Sequence, residues 1–318
     1  MSKNKQQIYR EFCQKQHELS VFMMPWWLDA TCGGSGWDVS LWLKNDRIVG
    51  ALPFRRNKKW GMNQLNMPPL TPFIEPWMYV SSEKPSERFS QEREILCKLV
   101  SEIPQSSKSL HRIHPSISNV LPFYWAGYSL SIAYTYQILD LHDLEAVWNG
   151  FRSSARREIR KAEDRFRLTV RECDSFTEFY KTYSKTFERQ NLQPKIEFSL
   201  FNRVYQACVR ENSCTLLKAM DSDNQIHAVV FLLHDSQSTY YLAGGGDPKL
   251  RNSGAASLVI WHSIKIASNK SMVFDFEGSM IKPIEKYFSS FGAVQKQYSC
   301  ATKISSRFLH LLFSIYSS

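Results

Sequence analysis

The segment that decides the fold runs from Cys214 to Ser279 and reads CTLLKAMDSDNQIHAVVFLLHDSQSTYYLAGGGDPKLRNSGAASLVIWHSIKIASNKSMVFDFEGS. Apolar runs and turn residues along it predict, in order, three strands, one helix and a further strand. Their ranges are Cys214–Met220, Ile226–His234, Thr239–Leu242, Gly254–Ala267 and Met272–Phe276. Because a short polar turn separates the first two runs, we expect them to form a β-hairpin.

Small residues connect the third strand to the helix. They let main-chain N–H groups approach a ligand closely, and the helix N-terminus adds unpaired donors and a partial positive charge, so a pyrophosphate fits there. An ordinary loop packed on a sheet is the alternative, because short glycine patterns recur by chance. The candidate cofactor-binding residues are Gly244, Gly245, Gly246, Arg251, Asn252, Ser253, Gly254, Ala255 and Ala256.

The order of hairpin, strand, R-x-x-G-x-A loop, helix and strand resembles the core of the GNAT acyltransferases, whose pyrophosphate loop reads R/Q-x-x-G-x-G/A. The motif FDFEGS followed by IEKYFSSFGAVQKQY resembles, more narrowly, the FemAB-like branch of that superfamily. The resemblance is clearest from about Trp148 to Lys303. It implies an α/β (α+β) fold with two tandem GNAT-like domains, each a twisted mixed sheet flanked by helices. It also implies acetyl-CoA or another acyl-CoA as the co-substrate.

A weak internal repeat agrees with two domains. Three blocks of sequence recur in the same order at similar offsets, among them the turn and strand that begin near Ile48 and near Ile226. We therefore predict one GNAT-like domain over residues 1–140 and a second over residues 141–318. Chance similarity between two sheets of one domain is the alternative. The first half has the proline-rich NMPPLTPFIEP in place of the glycine loop, so we expect it to shape the acceptor side.

Composition limits the class of protein. The 318 residues are 43% hydrophobic and 22% charged, which is typical of a globular chain. No run approaches the roughly 18 apolar residues of a membrane span, and the N-terminus has no apolar core of a signal peptide. Seven cysteines without a C-x-x-C pair indicate free thiols in a reducing cytoplasm and no metal site. The net charge of +10 favours an anionic partner without identifying it.

A basic run lies in the stretch 141–166, which is predicted to be helical. Its candidate substrate-binding residues are Arg156, Arg157, Arg160 and Lys161, in pairs four residues apart that share a helix face. A solvated helix face is the alternative. The FemAB-like resemblance places such a helix at the domain junction beside the acceptor groove, where bidentate arginines suit a diphosphate.

Four side chains are candidates for acid–base catalysis. Asp275 and Glu277 stand two residues apart at the end of the last predicted strand, so alternation places both on one face. One of them could accept the acceptor's proton. The alternative is that Asp275 bonds the loop while Glu277 pairs with a cation. GNAT enzymes often use a tyrosine four residues before the glycine of the last turn. Here that position is Phe288, and the nearby Tyr287 and Tyr298 are the candidates.

The resemblance supports an N-acyltransferase that moves an acyl group from acyl-CoA to an amine on a small-molecule or nucleotide-linked acceptor. A nucleotide sugar or a cell-envelope or polysaccharide precursor would qualify. A FemABX-type transfer of an amino acid from aminoacyl-tRNA to a peptidoglycan precursor is the second hypothesis. It is less favoured because 141–166 is too short for the usual helical insertion that binds tRNA.

The third hypothesis is a non-catalytic basic protein that binds an anionic polymer or a membrane. The apolar tail Phe308–Tyr316 could contact a membrane or pack as a closing helix. We expect a cytoplasmic location, with the inner face of the membrane as an additional contact, and no DNA partner.

Overall fold

The computed structural model describes residues 4–16, 18–188, 192–194, 196–278 and 280–305. The chain forms two compact units: one contains Met1–Ala133 and the described part of Gln297–Ser318, and the other contains Tyr134–Lys296. This division falls inside a strand, whereas the predicted domains divide at 140/141. The last strand of the chain begins in the second unit and continues in the first, where it pairs with a neighbouring strand. Local sequence patterns do not report such long-range pairing.

The first unit is a mixed sheet flanked by helices. Its elements are α1 (Lys5–Cys13), α2 (Pro25–Cys32), β1 (Trp37–Lys44), β2 (Arg47–Lys59), β3 (Met62–Asn66), β4 (Trp77–Met78), α3 (Pro85–Ser101), β5 (Lys108–Ile113) and α4 (Leu121–Trp125). Strands β1, β2 and β3 are antiparallel neighbours, while β3 and β5 are parallel. Asn45 and Asp46 both have positive φ between β1 and β2, as a tight two-residue hairpin turn requires.

The second unit is also a mixed sheet between helical layers. Its elements are β6 (Ser129–Ile138, which starts in the first unit), α5 (Leu144–Gly150), α6 (Ser153–Arg160), β7 (Thr169–Glu172), α7 (Phe176–Glu188), α8 (Phe198–Arg210), β8 (Cys214–Met220), β9 (Ile226–His234), β10 (Ser238–Gly246), α9 (Ala255–Ala267), β11 (Val273–Asp275), α10 (Lys282–Phe288) and β12 (Val294–Ile304, which ends in the first unit). The strand order is β6-β11-β10-β9-β8-β7, and only the β10–β11 pair is parallel.

Strand β9 lies at the centre of this unit and is buried on both faces. Ala228, Val230 and Leu232 pack in the core cluster that includes α9. Phe231 points to the opposite face, where its ring stacks on Phe201 of α8 at 5.3 Å. A strand covered on both faces needs apolar residues at nearly every position, which explains the unbroken run that predicted it. The predicted bounds of β8 and β9 are confirmed.

Two predicted elements differ from the observed ones by more than one residue at an end. The third strand is predicted to end at Leu242, but β10 continues to Gly246 because its glycines pair with β9. The stretch 141–166 is predicted to be one helical region, but it consists of α5, α6 and a π-helical turn over Lys161–Arg165. The break follows Gly150, where the buried Phe151 leaves the helical conformation.

The predicted fold class, mixed α/β with helices flanking mixed sheets, is confirmed. Among the described residues, the helices are all too short or too polar to cross a membrane. The tail Phe308–Tyr316 lies outside the described residues.

Candidate active site

A cavity of about 310 Å³ lies at the end of β10, bounded by β9 and by the N-terminal turn of α9. This volume falls at the lower end of the range of small-molecule pockets, which is roughly 300–1,000 Å³. Seven of the nine predicted cofactor-binding residues line it, namely Gly244, Gly245, Gly246, Arg251, Ser253, Ala255 and Ala256. Asn252 is exposed and Gly254 is buried, and neither of them lines the cavity.

Strand β10 extends beyond its parallel neighbour β11 at the end that borders the cavity. Strand β11 pairs with β10 only as far as the Tyr240–Asp275 position and then ends, while β10 continues to Gly246. On the other edge of β10, the register with β9 shifts between Tyr241 and Ala243. A shift of this kind leaves an extra residue in one strand and bends it. The opening between β10 and β11 therefore begins at Tyr241.

The three glycines of β10 are required by close contacts. A side chain at Gly245 would overlap with Thr186 of α7, and one at Gly246 would come within 2.5 Å of the His227 carbonyl oxygen. Helix α7 is also hydrogen-bonded to the end of β10, because the Thr186 hydroxyl accepts the Gly246 N–H at 3.0 Å. A side chain at Gly244 would overlap with the Tyr241 hydroxyl. Packing thus selects glycine, and the same lack of side chains leaves room in the cavity.

The N-terminal turn of α9 offers main-chain donors to the cavity. Gly254 occupies the N-cap position with φ +81° and has no side chain to cap the helix. Among the described contacts of the first helical turn, one main-chain N–H bonds a side-chain hydroxyl. It is the Ala255 N–H, 3.4 Å from Ser253 Oγ. Arg251 is exposed in the short turn before the helix and lines the cavity. A helix N-terminus beside an arginine attracts an anion.

Gly254 also has a structural role that its motif did not reveal. A side chain there would overlap with the Glu158 carbonyl oxygen of α6 and would contact Ala162 at 3.3 Å. The glycine of the R-x-x-G-x-A pattern therefore permits α6 to lie against the start of α9. The positive φ gives a second reason for glycine at this position.

One carboxylate lines the cavity and is neutralised by an ion pair. Lys185 Nζ of α7 lies 2.7 Å from Asp247 Oδ2. The hydrogen bond from Lys185 holds the pKa of Asp247 below its usual value. Because its charge is balanced, Asp247 repels an incoming anion less than a free carboxylate would. Sequence patterns did not identify Lys185 or Thr186, which come from the distant helix α7, or His227, which reaches the cavity only through the pairing of β9 with β10.

Asp275 is fully buried and holds the end of β11 in place. Its Oδ1 accepts the Thr135 hydroxyl and, at 2.7 Å, the Glu277 N–H. Its Oδ2 accepts Gln137 Nε2 at 2.7 Å. These bonds correspond to the structural alternative for Asp275, in which the carboxylate fixes the loop after the strand.

Glu277 does not follow the predicted alternation, because β11 ends at Asp275 and Glu277 has φ +56°. Its Oε1 is buried and has no hydrogen-bond partner among the described residues. Burial, and secondarily the neighbouring Asp275, raises the pKa of Glu277 well above its usual value. A desolvated carboxyl with an unpaired oxygen favours its neutral, protonated form. The cation pairing offered as the alternative is absent from the described ion pairs.

The two candidate tyrosines lie in different places. The Tyr287 hydroxyl of α10 lies 3.3 Å from Ser257 Oγ in the first turn of α9, and burial raises the pKa of Tyr287. Tyr287 does not line the cavity, and neither do Asp275 and Glu277. Tyr298 packs with its ring 5.7 Å from Phe73 in the core of the first unit. Of the two, only Tyr287 is near the N-terminus of α9.

The basic run forms an open depression along α6 and the π-helical turn. Arg156, Arg157, Arg160 and Lys161 all line it, together with Arg165. Arg156 donates to the Asn149 carbonyl at 2.9 Å, so its guanidinium caps the end of α5. Lys161 pairs with Glu158, whereas Arg157, Arg160 and Arg165 are exposed. In the part of the chain that the structure describes, no group of His, Cys, Asp or Glu side chains could hold a metal ion.

Residues 149–282 match the family model described as "Acetyltransferase (GNAT) domain". The chain carries a GNAT acetyltransferase domain. The match covers β10, α9, Asp275 and Glu277, and it ends before Tyr287. The predicted resemblance and the predicted class, a GNAT-type transferase, are confirmed, which removes the support for a non-catalytic scaffold.

Solved structures share the fold over nearly the whole chain. FemX superposes with a TM-score of 0.68 at 12% identity and 98% coverage of both chains. The C-terminal domain of a putative lysylphosphatidylglycerol synthetase from Agrobacterium fabrum gives 0.63 at 11% identity, covering 97% of this chain and 95% of its own. A tandem GNAT protein from the clavulanic acid pathway gives 0.53 at 7% identity, covering 95% and 94%. No curated protein matches the chain significantly.

Proposed function

We propose that this protein transfers an acyl group from acyl-CoA to an amine on a small-molecule or nucleotide-linked acceptor. The observation that carries the proposal is the cavity at the end of β10, with Arg251 and the uncapped start of α9 on its wall. A pyrophosphate needs several N–H donors and a positive potential, and this wall supplies both. The GNAT domain match over the same elements supports it.

The remainder of an acyl-CoA would extend along the open edge of β10. Beyond Tyr240 this edge has no β11 partner, so main-chain groups before Gly246, which is bonded to Thr186, could bond the amides of an extended arm. The glycines keep the arm close to the strand, because no side chain stands between them. The thioester would then lie on the side of Tyr241, away from the phosphates.

The transfer itself requires a neutral amine and a route for its proton. The amine attacks the acyl carbonyl, the thiolate leaves, and the proton that the amine loses goes to Glu277. The raised pKa makes the ionised form of Glu277 a stronger base than an ordinary carboxylate, so that form accepts a proton readily. Asp275 positions the Glu277 main chain through the bond to its N–H. No covalent enzyme intermediate is needed.

The depression on α6 supports an acceptor, or a donor end, that carries phosphate. Arg157, Arg160 and Arg165 present exposed guanidinium groups in one concave surface. Helix α6 reaches the start of α9, because the Glu158 carbonyl lies against Gly254. A ligand that spans both surfaces would place one phosphate group on each. We therefore propose a nucleotide-linked acceptor, such as an envelope or polysaccharide precursor. We also propose a cytoplasmic location, with contact to the inner face of the membrane.

Calorimetric titration with CoA tests the donor. Arg251→Ala should weaken binding about tenfold or more, because a charge-assisted phosphate contact contributes roughly 1.5–3 kcal/mol. Lys249→Ala is the matched control: it removes the same charge two residues away from an exposed side chain that does not line the cavity. Equal affinities for the two variants would show that Arg251 does not contact the donor.

A second candidate is transfer from aminoacyl-tRNA, which the FemX superposition favours. The region 141–166 is too short for the usual helical insertion that binds tRNA, which is an argument against a tRNA donor. FemX, however, is covered over 98% of its own chain by this one, so it carries no large extra arm either. Competition separates the candidates: under the acyl-CoA proposal, excess CoA binds and aminoacyl-tRNA does not displace it. Displacement by aminoacyl-tRNA, with no transfer from acetyl-CoA, would favour the second candidate.

A further inference from the structure

The hydroxyl of Tyr241 occupies a defined position in the wall of the cavity. Tyr241 pairs with Leu232 of β9, so its side chain lies on the sheet face that packs against α9. Its ring packs 5.6 Å from the ring of Phe288. Its hydroxyl lies directly against Gly244, where a side chain would overlap with it. Both residues line the cavity, so the hydroxyl and the glycine form one surface.

This surface lies where β10 parts from β11. Tyr240 is the last β10 residue paired with β11, and Tyr241 is the first beyond that pairing. The open strand edge, the glycine main chain and the hydroxyl therefore meet at one point. A donor whose phosphates lie at the start of α9 and whose arm follows the strand brings its acyl group to this point.

We propose that the Tyr241 hydroxyl donates a hydrogen bond to the oxygen of the donor's acyl carbonyl during transfer, a role that rests on the proposed function. When the amine nitrogen bonds to the carbonyl carbon, the carbonyl electron pair moves to oxygen. The carbon–sulfur bond then breaks, the electron pair returns, and the thiolate leaves. Tyr241 keeps its proton throughout and stabilises the transient negative oxygen. An ester carbonyl would be polarised in the same way.

The environment keeps this hydroxyl a neutral donor. Burial raises the pKa of Tyr241, and the neighbouring Tyr287 and Tyr183 raise it further. A neutral phenol can donate a hydrogen bond over the whole pH range in which the acceptor amine becomes neutral and reactive. Tyr287 is placed differently, since its hydroxyl is near Ser257 and it does not line the cavity. Tyr241 therefore fits the oxyanion position and Tyr287 does not.

The test combines spectroscopy with kinetics. Acetyl-CoA labelled with ¹³C at the thioester carbonyl is bound to the wild-type protein and to Tyr241→Phe, and the carbonyl stretch is measured by infrared difference. A donated hydrogen bond lowers the frequency, so the band should move to higher wavenumber in the variant. With an amino-sugar acceptor that supports turnover, kcat should fall about 10²–10³-fold, the usual loss for one oxyanion donor, while acetyl-CoA affinity holds.

Two further variants separate position from folding. Gly244→Ala leaves Tyr241 intact but displaces its hydroxyl, so the carbonyl band should also shift upward. Tyr205→Phe removes a hydroxyl from a half-buried tyrosine stacked on Phe176, away from the cavity, and should change neither band nor kcat. An unchanged band and unchanged kcat in Tyr241→Phe would overturn the role of Tyr241. Failure of the wild-type protein to bind acetyl-CoA would instead overturn the proposed function itself.

Discussion

Replacing Glu277 by glutamine should change how the stability of the protein depends on pH. Burial and Asp275 raise the pKa of this carboxyl in the folded protein above its ordinary value of 4.5. Below that value both the folded and the unfolded chain hold the proton. Above it the unfolded chain ionises Glu277, while the folded protein keeps it neutral until its own raised pKa is reached. Stability is therefore lost as pH rises through this window.

The magnitude follows from proton linkage. Within the window the folded state binds about one more proton than the unfolded state, so the free energy of unfolding falls by up to about 1.4 kcal/mol per pH unit. A glutamine side chain has the same shape as glutamate and cannot ionise, so Glu277→Gln removes this slope. The variant should match the wild-type protein near the acid end of the window and become progressively more stable than it toward neutral pH.

Urea unfolding followed by circular dichroism at a series of pH values measures the effect. Glu211→Gln, which alters an exposed carboxylate in the same unit, is the control and should run parallel to the wild-type protein. Equal pH slopes for Glu277→Gln and the wild-type protein would show that Glu277 is not a buried neutral acid. If Glu277 is also the base, kcat of this variant should fall about 10²–10⁴-fold near neutral pH, and less at higher pH, where the amine is already neutral.

Two other predictions concern helix α6. Gly254→Ala should destabilise the protein by about 2–5 kcal/mol, the sum of left-handed backbone strain and overlap with the Glu158 carbonyl. Gly61→Ala, at φ +75° in the turn between β2 and β3 with open space around it, should cost only the strain, about 1–2 kcal/mol. Equal losses by thermal melting would contradict the packing role of Gly254. Joint replacement Arg157→Ala and Arg160→Ala should raise the KM for a phosphate-bearing acceptor and leave the melting temperature unchanged; an unchanged KM would mean that the depression does not bind the acceptor.

The hairpin of β8 and β9 could be predicted to the residue because both strands are buried runs bounded by polar turns. The end of β10 could not, because glycine is depleted in strands and normally marks their ends. Here contacts with Thr186 of α7 and with the His227 carbonyl of β9 select Gly245 and Gly246. Tertiary packing therefore overrode local propensity at the centre of the site.

The candidate site shows the same division. A loop of small residues before an apolar helix was enough to locate the cavity wall, because helix termini bind anions whatever the surrounding fold. Tyr241 was missed, since no local pattern shows that its hydroxyl lies on a glycine three residues later. The sequence also did not predict that Arg156 caps the end of α5. The Asn149 carbonyl can accept this hydrogen bond only because the helix ends there.

A structure of the protein with CoA bound tests the central claim most directly. We expect the pyrophosphate at the N-terminal turn of α9, within hydrogen-bond reach of Arg251 and of the amides of Ala255 and Ala256. The pantetheine arm should follow β10 from Gly246 toward Tyr241, with the sulfur near the Tyr241 hydroxyl. CoA bound at another surface, or a cavity that stays empty at saturating CoA, would contradict the assignment of this cavity as the acyl-donor site.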